Sequence, residues 1–202
     1  APEDPYPAGL EDCYAALEWF HANAAELKVD TARIGIRGGS AGGGLSAGLA
    51  LLARDRGGPS ICFQFLGIPE LDDRLETVSM QTFTDTPMWH RPNAIFSWQY
   101  YLQNEFSPGA DNTPIYAAPA RATVEQLRGL PPAYVSTMEF DPLRDEGIEY
   151  ALKLLQAGVN VELHNFPGTF HGSEMMMHAK ISQRGQAEGL EALRRGLGLE
   201  TS

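Results

Sequence analysis

The stretch RIGIRGGSAGGGL, residues 33–45, crowds six glycines into thirteen positions around one serine, Ser40. Glycine costs roughly 1 kcal/mol against alanine in a helix interior, so a repeated cost implies backbones that must come close. Apolar residues precede the glycines, and Leu45, Leu49 and Leu52 follow at helical spacing. The stretch therefore reads as a strand at 32–36 turning sharply into a helix at 41–55. Outward from it the same alternation continues. Leu10, Cys13, Tyr14, Leu17 and Phe20 recur with helical period over 10–26. Apolar strands are expected at 60–68 and 133–140, a helix at 143–157, an edge strand with one wet face at 159–166, and a last helix over 173–196. Strands alternating with helices predict an α/β fold with a parallel sheet and helices on both faces. The exception is residues 70–130, rich in Thr, Pro and aromatics, which read as an excursion from the sheet holding at least one helix, NAIFSWQYYLQ.

The chain has 202 residues, 43% hydrophobic and 20% charged, which fits one globular domain, 1–202. A net charge of −11 argues against nucleic-acid and anionic-membrane partners. No apolar run is long enough to span a membrane. Two cysteines, Cys13 and Cys62, make neither a disulfide framework nor a zinc site. They read as free, buried thiols of a reducing, cytoplasmic compartment.

Gly38-Gly39-Ser40-Ala41-Gly42 matches G-x-S-x-G between a strand and a helix, the context of a nucleophile elbow. Gly38, Gly39 and Gly42 form the turn. Small residues at Gly38 and Gly42 let the chain segments approach, and Gly43 and Gly44 let the helix lie close to the sheet. The helix start favours a developing oxyanion, with Ala41 N–H as one donor. A phosphate loop would need a lysine after the glycines, and a dinucleotide fold an acid about 20 residues on. Neither is present.

A nucleophilic serine needs a base, and the base an orienting acid. His21 and His178 are expected on helix surfaces, His90 in the excursion, and His164 on the solvated phase of the edge strand. His171 alone follows a strand directly, where sites of parallel sheets assemble. Asp141 follows the 133–140 strand in the same way, and its alternative role is a helix N-cap. Asp145 and Glu146 suit the first turn of that helix without chemistry. His171, Glu174 and His178 have no standard metal-ligand spacing, and neither a metal nor an organic cofactor is implied. The order Ser40, Asp141, His171 is that of α/β-hydrolases.

The segments APEDPYPAGLEDCYAALEW, GGSAGGGLSAGLAL, LPPAYVSTMEFD and EFDPLRDEGIEYALKLLQAGVNVELHNFPGTFHG resemble the hormone-sensitive-lipase-like bacterial carboxylesterases of the α/β-hydrolase superfamily. The resemblance spans nearly the whole chain. It implies Asp141 as triad acid, His171 as triad base, and residues 70–130 as lid or cap, with Trp89, Phe96, Trp98 and Tyr101 lining an acyl pocket. Two departures stand out. Gly39 replaces the acidic residue usual before the serine. The H-G-G-G loop that supplies further oxyanion donors in the family does not occur here. The chain is therefore expected to be the C-terminal two-thirds of such an esterase, lacking the N-terminal strands. An uncovered, uncharged sheet edge beside residues 32–36 would then promote homo-oligomers or association.

The expected function is serine carboxylester hydrolysis of short- to medium-chain esters through a Ser-His-Asp triad and an acyl-enzyme. The partner is a small-molecule ester. The alternative is a non-catalytic small-molecule binder, or an inactive fragment, on the same fold.

Overall fold

The computed structural model describes residues 1–103 and 106–199. Helix α1 (Ala8–Ala22) and the short α2 (Ala24–Leu27) lead into strand β1 (Gly35–Gly39), helix α3 (Ala41–Asp55) and strand β2 (Phe63–Gly67). Helices α4 (Val78–Thr82) and α5 (Arg91–Leu102) follow, then β3 (Ala133–Phe140), α6 (Arg144–Gln156), β4 (Val161–Phe170) and α7 (Lys180–Gly196). The four strands lie in the order β1-β2-β3-β4 and every pair is parallel, with Gly35 opposite Phe63, Gln64 opposite Ala133 and Ala133 opposite Val161. Fold and class are as the sequence indicates.

Burial decides the layers. Leu51 of α3 and Tyr150 and Leu154 of α6 are fully buried with Leu66 and Val135 of the sheet. Leu10, Tyr14 and Leu17 of α1 close over Leu49, Leu52 and Ala53 of α3. On the other face α7 presents Ala192 to Phe63, Phe65 and Tyr134. The 70–130 stretch divides between two cores. Leu71, Ala120, Leu127 and Leu130 join the main one, while Leu75, Met80, Ala94, Trp98 and Leu102 form a second with Leu143. A buried ion pair, Arg121 Nε to Asp73 Oδ1 at 2.5 Å, ties its beginning to its end. Asp73 also accepts from Gly109 N at 2.8 Å and Thr113 Oγ1 at 3.0 Å.

Several boundaries differ from the sequence reading. The first helix breaks at Asn23, whose side-chain amide donates to Trp19 O at 2.7 Å and competes with the backbone ladder. Residues Thr31–Arg33 form a 3₁₀ turn nucleated by Asp30, which accepts from Ala32 N at 2.9 Å. The strand therefore starts at Gly35 and runs up to the serine. β1 lies at the sheet edge, but Arg37 on it is exposed, with its guanidinium 5.0 Å from the Phe65 ring centre, so the edge is not uncharged. The last helix begins at Lys180, preceded by a 3₁₀ turn at Ser173–Met175. His178 thus sits in an exposed turn. Cys13 and Cys62 are free but only half-buried. His164 faces α7 and is half-buried, stacked on Tyr134 and Phe166 and flanked by Glu162 at 2.8 Å and Glu188 at 3.1 Å.

The glycines around Ser40 separate by cause. A Cβ on Gly38 would lie 1.9 Å from Gly42 O, one on Gly44 2.2 Å from Glu70 O, and one on Gly43 2.8 Å from the Pro69 side chain. At Gly42 nothing lies within 4 Å, and at Gly39 only Gly67 O, at 3.9 Å. Neither of these two is required by space. Gly44→Ala should therefore lose about 1–3 kcal/mol in chemical denaturation, whereas Gly42→Ala should hold or gain up to about 1 kcal/mol from helix propensity. Equal stabilities for the two variants would contradict this packing.

Candidate active site

Ser40 sits between β1 and α3 at φ 57°, ψ −126°, outside the ordinary regions for an L-residue. The backbone around it holds it there. Ser40 N donates to Gly67 O at 2.9 Å, while Ser40 O accepts from Gly43 N at 2.8 Å, Glu70 N at 3.1 Å and Gly44 N at 3.2 Å. Such strain persists only where neighbours over-determine it. The turn aims the side chain beyond the strand ends.

Asp141 follows β3 and His171 follows β4, so adjacent parallel strands deliver both to one place. Ser40 Oγ lies 2.9 Å from His171 Nε2, and His171 Nδ1 lies 2.7 Å from Asp141 Oδ2. Asp141 is 1% exposed and His171 8%. The other oxygen of Asp141, Oδ1, accepts from Leu143 N at 2.9 Å. Asp141 is not the N-cap of α6, which is Leu143; its Oδ1 braces the turn before that helix, and its Oδ2 faces the histidine. Trp89 lies against the His171 ring, with centroids 5.7 Å apart and planes at 31°.

Ala41 opens α3, so its N–H has no carbonyl four residues back within the helix. It lines a cavity of about 410 Å³ with Leu45, and with all four aromatics singled out above, Trp89, Phe96, Trp98 and Tyr101. Trp98 is packed into the second core, whereas Phe96 is 55% exposed. Asp145 lies elsewhere, bonded to Ser79 N at 2.7 Å and Arg144 Nε at 2.7 Å. His21 is exposed on α1, and His90 stands just before α5 without a side-chain capping bond.

Sequence reasoning passed over Glu70. It follows Pro69 beyond the carboxyl end of β2, the same placement that singled out Asp141 and His171. It is 5% exposed, lines the cavity, and accepts from Ser97 Oγ at 2.9 Å. Burial pushes its carboxyl up to about 7, helped by the nearby Asp141 charge and opposed by the Ser97 hydroxyl and by His171. Glu146, also called a bystander, is buried too. Its Oε1 accepts from Leu71 N at 2.6 Å and Asp72 N at 3.2 Å, and burial pushes its carboxyl well above the usual range. It holds the loop that carries Glu70.

Comparison with known proteins agrees with this architecture. Residues 1–175 match the family described as the alpha/beta hydrolase fold. The chain is 42% identical to "Carboxylesterase NlhH" of Mycobacterium tuberculosis, over 98% of this chain and 61% of that protein. It is 32% identical to "Arylesterase" of Saccharolobus solfataricus, over 85% of this chain and 54% of that protein. Among solved structures it resembles "Bacterial Heroin Esterase", with a TM-score of 0.95 and 64% identity over 98% of this chain and 62% of that one. The chain thus spans roughly three-fifths of the length of its similar relatives.

Glu70 generates a stability prediction with a definite sign. Its carboxyl holds a proton more tightly folded, at about 7, than at its ordinary value of 4.5. Its contribution is therefore most favourable below pH 4.5 and is lost as pH rises through about 7. Glu70→Gln cannot ionise, so its stability relative to the unaltered chain should rise between pH 5 and pH 8, by on the order of 3 kcal/mol. Denaturant unfolding at the two pH values checks this. A difference independent of pH would show that Glu70 does not titrate in that window.

Proposed function

The chain belongs to the alpha/beta hydrolase fold family, and we propose that it carries the acyl-transfer centre of a serine carboxylester hydrolase for short- to medium-chain esters. The observation that carries this reading is the run of two hydrogen bonds, 2.9 Å and 2.7 Å, from Ser40 through His171 to a buried Asp141. The names of the similar proteins support the same reaction class. Ser40 Oγ attacks the ester carbonyl carbon as its proton passes to His171 Nε2. Ala41 N–H, at the positive end of α3, faces the oxygen on which charge develops. His171 then gives the proton to the departing alcohol, leaving an acyl group on Ser40. Water, deprotonated by the same nitrogen, attacks that acyl group and releases the acid. Asp141 Oδ2 accepts a hydrogen bond from the Nδ1–H throughout, which fixes the tautomer and stabilises the imidazolium.

In this reading residues 1–202 belong to one catalytic domain. The segment carrying α4 and α5 acts as a cap over the acyl pocket. The two free cysteines fit a reducing, cytoplasmic setting.

Ser40→Ala should abolish labelling by a fluorophosphonate and cut hydrolysis of a short p-nitrophenyl ester by about 10³-fold or more. His171→Ala should cost as much, and the double variant no more than either alone, because the groups act as a unit. Asp141→Asn should cost up to about 10⁴-fold, and Asp145→Asn far less. Unchanged labelling of Ser40→Ala would refute the mechanism. A wild-type chain that never labels would instead favour a ligand-binding role.

A further inference from the structure

The loop joining α4 to α5, residues 83–90, reaches His171 from outside the sheet. Arg91 N donates to Phe83 O at 2.9 Å and closes the loop. Within it, Trp89 N donates to Pro87 O at 2.8 Å, and Thr86 Oγ1 donates to Trp89 O at 2.7 Å. Met88 stands in the middle at φ 67°. That left-handed backbone is unfavourable for a residue with a Cβ and is kept only where the surroundings over-determine it. The residues at this strained point meet the loop that carries the histidine. Trp89 lies against the His171 ring, with centroids 5.7 Å apart and planes at 31°, nearer to stacked than to edge-on. A Cβ at Gly172 would lie 3.8 Å from Met88 Cε, so Met88 packs on the residue after His171. At the start of the loop, Phe83 packs on Phe140, the residue before Asp141, with centroids 6.2 Å apart. The loop thus contacts both strand ends that deliver the base and its acid.

We propose that Trp89 is a positioning residue of the acyl-transfer centre: its indole holds the His171 ring between Asp141 and Ser40 and favours the imidazolium over the neutral imidazole. The assignment rests on the ester-hydrolase reading. In that reaction the imidazole is neutral at rest and becomes charged as it takes the Ser40 proton. A cation within about 6 Å of an indole ring is attracted by the quadrupole of the ring, an attraction that needs the charge. The contact with Trp89 is therefore stronger in the transition state than before it, and an interaction of that kind raises kcat instead of lowering KM. Three other groups act on the same charge. Asp141 Oδ2 is 2.7 Å from Nδ1, Ser40 Oγ is 2.9 Å from Nε2, and the Glu70 carboxyl interacts with His171 through its charge. Asp141 and Ser40 act at the two nitrogens, whereas Trp89 acts on the ring as a whole.

The test compares Trp89→Phe, which keeps an aromatic ring, with Trp89→Leu, which keeps apolar bulk without one. With phenyl acetate at pH 8, Trp89→Leu should lower kcat about three- to tenfold and change KM by about twofold or less, and Trp89→Phe should recover most of the loss. Equal losses in the two variants, or a loss confined to KM, overturn the proposal, because plain packing or a substrate wall then accounts for Trp89. A second readout needs no turnover. Denaturant unfolding of Trp89→Leu, His171→Asn and the double variant isolates the coupling between the two side chains. An ordinary imidazole is charged at pH 5 and neutral at pH 8. The coupling factor in the unfolding constant should therefore be about threefold larger at pH 5, or more. Glu70, and His90 next to Trp89, are the same in all four chains, so what they contribute separately cancels. A coupling equal at the two pH values overturns the proposal. If the unaltered chain neither labels with a fluorophosphonate nor turns over, the ester-hydrolase reading fails, and the cycle still decides whether Trp89 favours the charged ring. Should Trp89→Leu fail to fold, Trp89→Met replaces it in both readouts.

Discussion

The structure depends on one close approach, that of the first turn of α3 to the chain leaving β2. Ser40 O takes three backbone N–H donors, two from α3 and one from Glu70, while Ser40 N donates to Gly67 O. These bonds hold a positive φ at a residue that has a Cβ, a conformation costing on the order of 1–3 kcal/mol. They form only because Gly43 and Gly44 carry no side chain against Pro69 and the Glu70 carbonyl. The glycines lower helix propensity at the start of α3, and the hydrogen bonds and packing they allow offset that loss. The same approach sets the position of Ser40, opens the Ala41 N–H, and delivers Glu70 to the cavity.

The ionisable groups near this junction follow from the same geometry. Glu70, Asp141 and Glu146 are all almost wholly buried. Their environments differ, and so do their consequences. Asp141 divides its oxygens between Leu143 N and His171 Nδ1. Glu146 turns one oxygen to two backbone N–H groups of the loop beyond β2. Glu70 has one hydroxyl donor, and it and Glu146 each keep one oxygen without a partner among the described residues. Two of the three are used by the fold itself. The third has less support from the protein, and it is the one that lines a cavity.

The legible part of the chain was the part governed by local spacing. Ser40 could be found because its glycines, strand and helix are contiguous. Asp141 and His171 could be found because each comes right after a strand, and parallel topology brings strand ends together. The less legible parts depended on distant partners. β1 includes Gly38 and Gly39, poor strand formers in isolation, and is strand only because it pairs with β2 through Gly39 opposite Gly67. The start of α7 lay hidden because residues 173–180 hold no glycine or proline; the break comes from Gly172 just before them, whose positive φ of 77° begins the intervening 3₁₀ turn. His164 looked solvated because its strand alternates; the α7 face that covers it carries Glu188, contributed from 24 residues on. Gly42 matched a motif position, yet its space is open, so a motif letter need not mark a steric demand.

Glu70 shows what the strained turn delivers besides the serine. An apolar residue at 70 would remove the buried carboxyl and its cost, and would still present the backbone N–H that Ser40 O requires. The carboxyl is therefore not needed to make the turn. Its charge is only partly answered by the fold: Ser97 Oγ donates to one oxygen and His171 favours the ionised form, yet burial outweighs both and pushes the carboxyl up to about 7. Stability alone would select against such a group, since a buried, unpaired acid lowers the free energy of unfolding at every pH above its ordinary range.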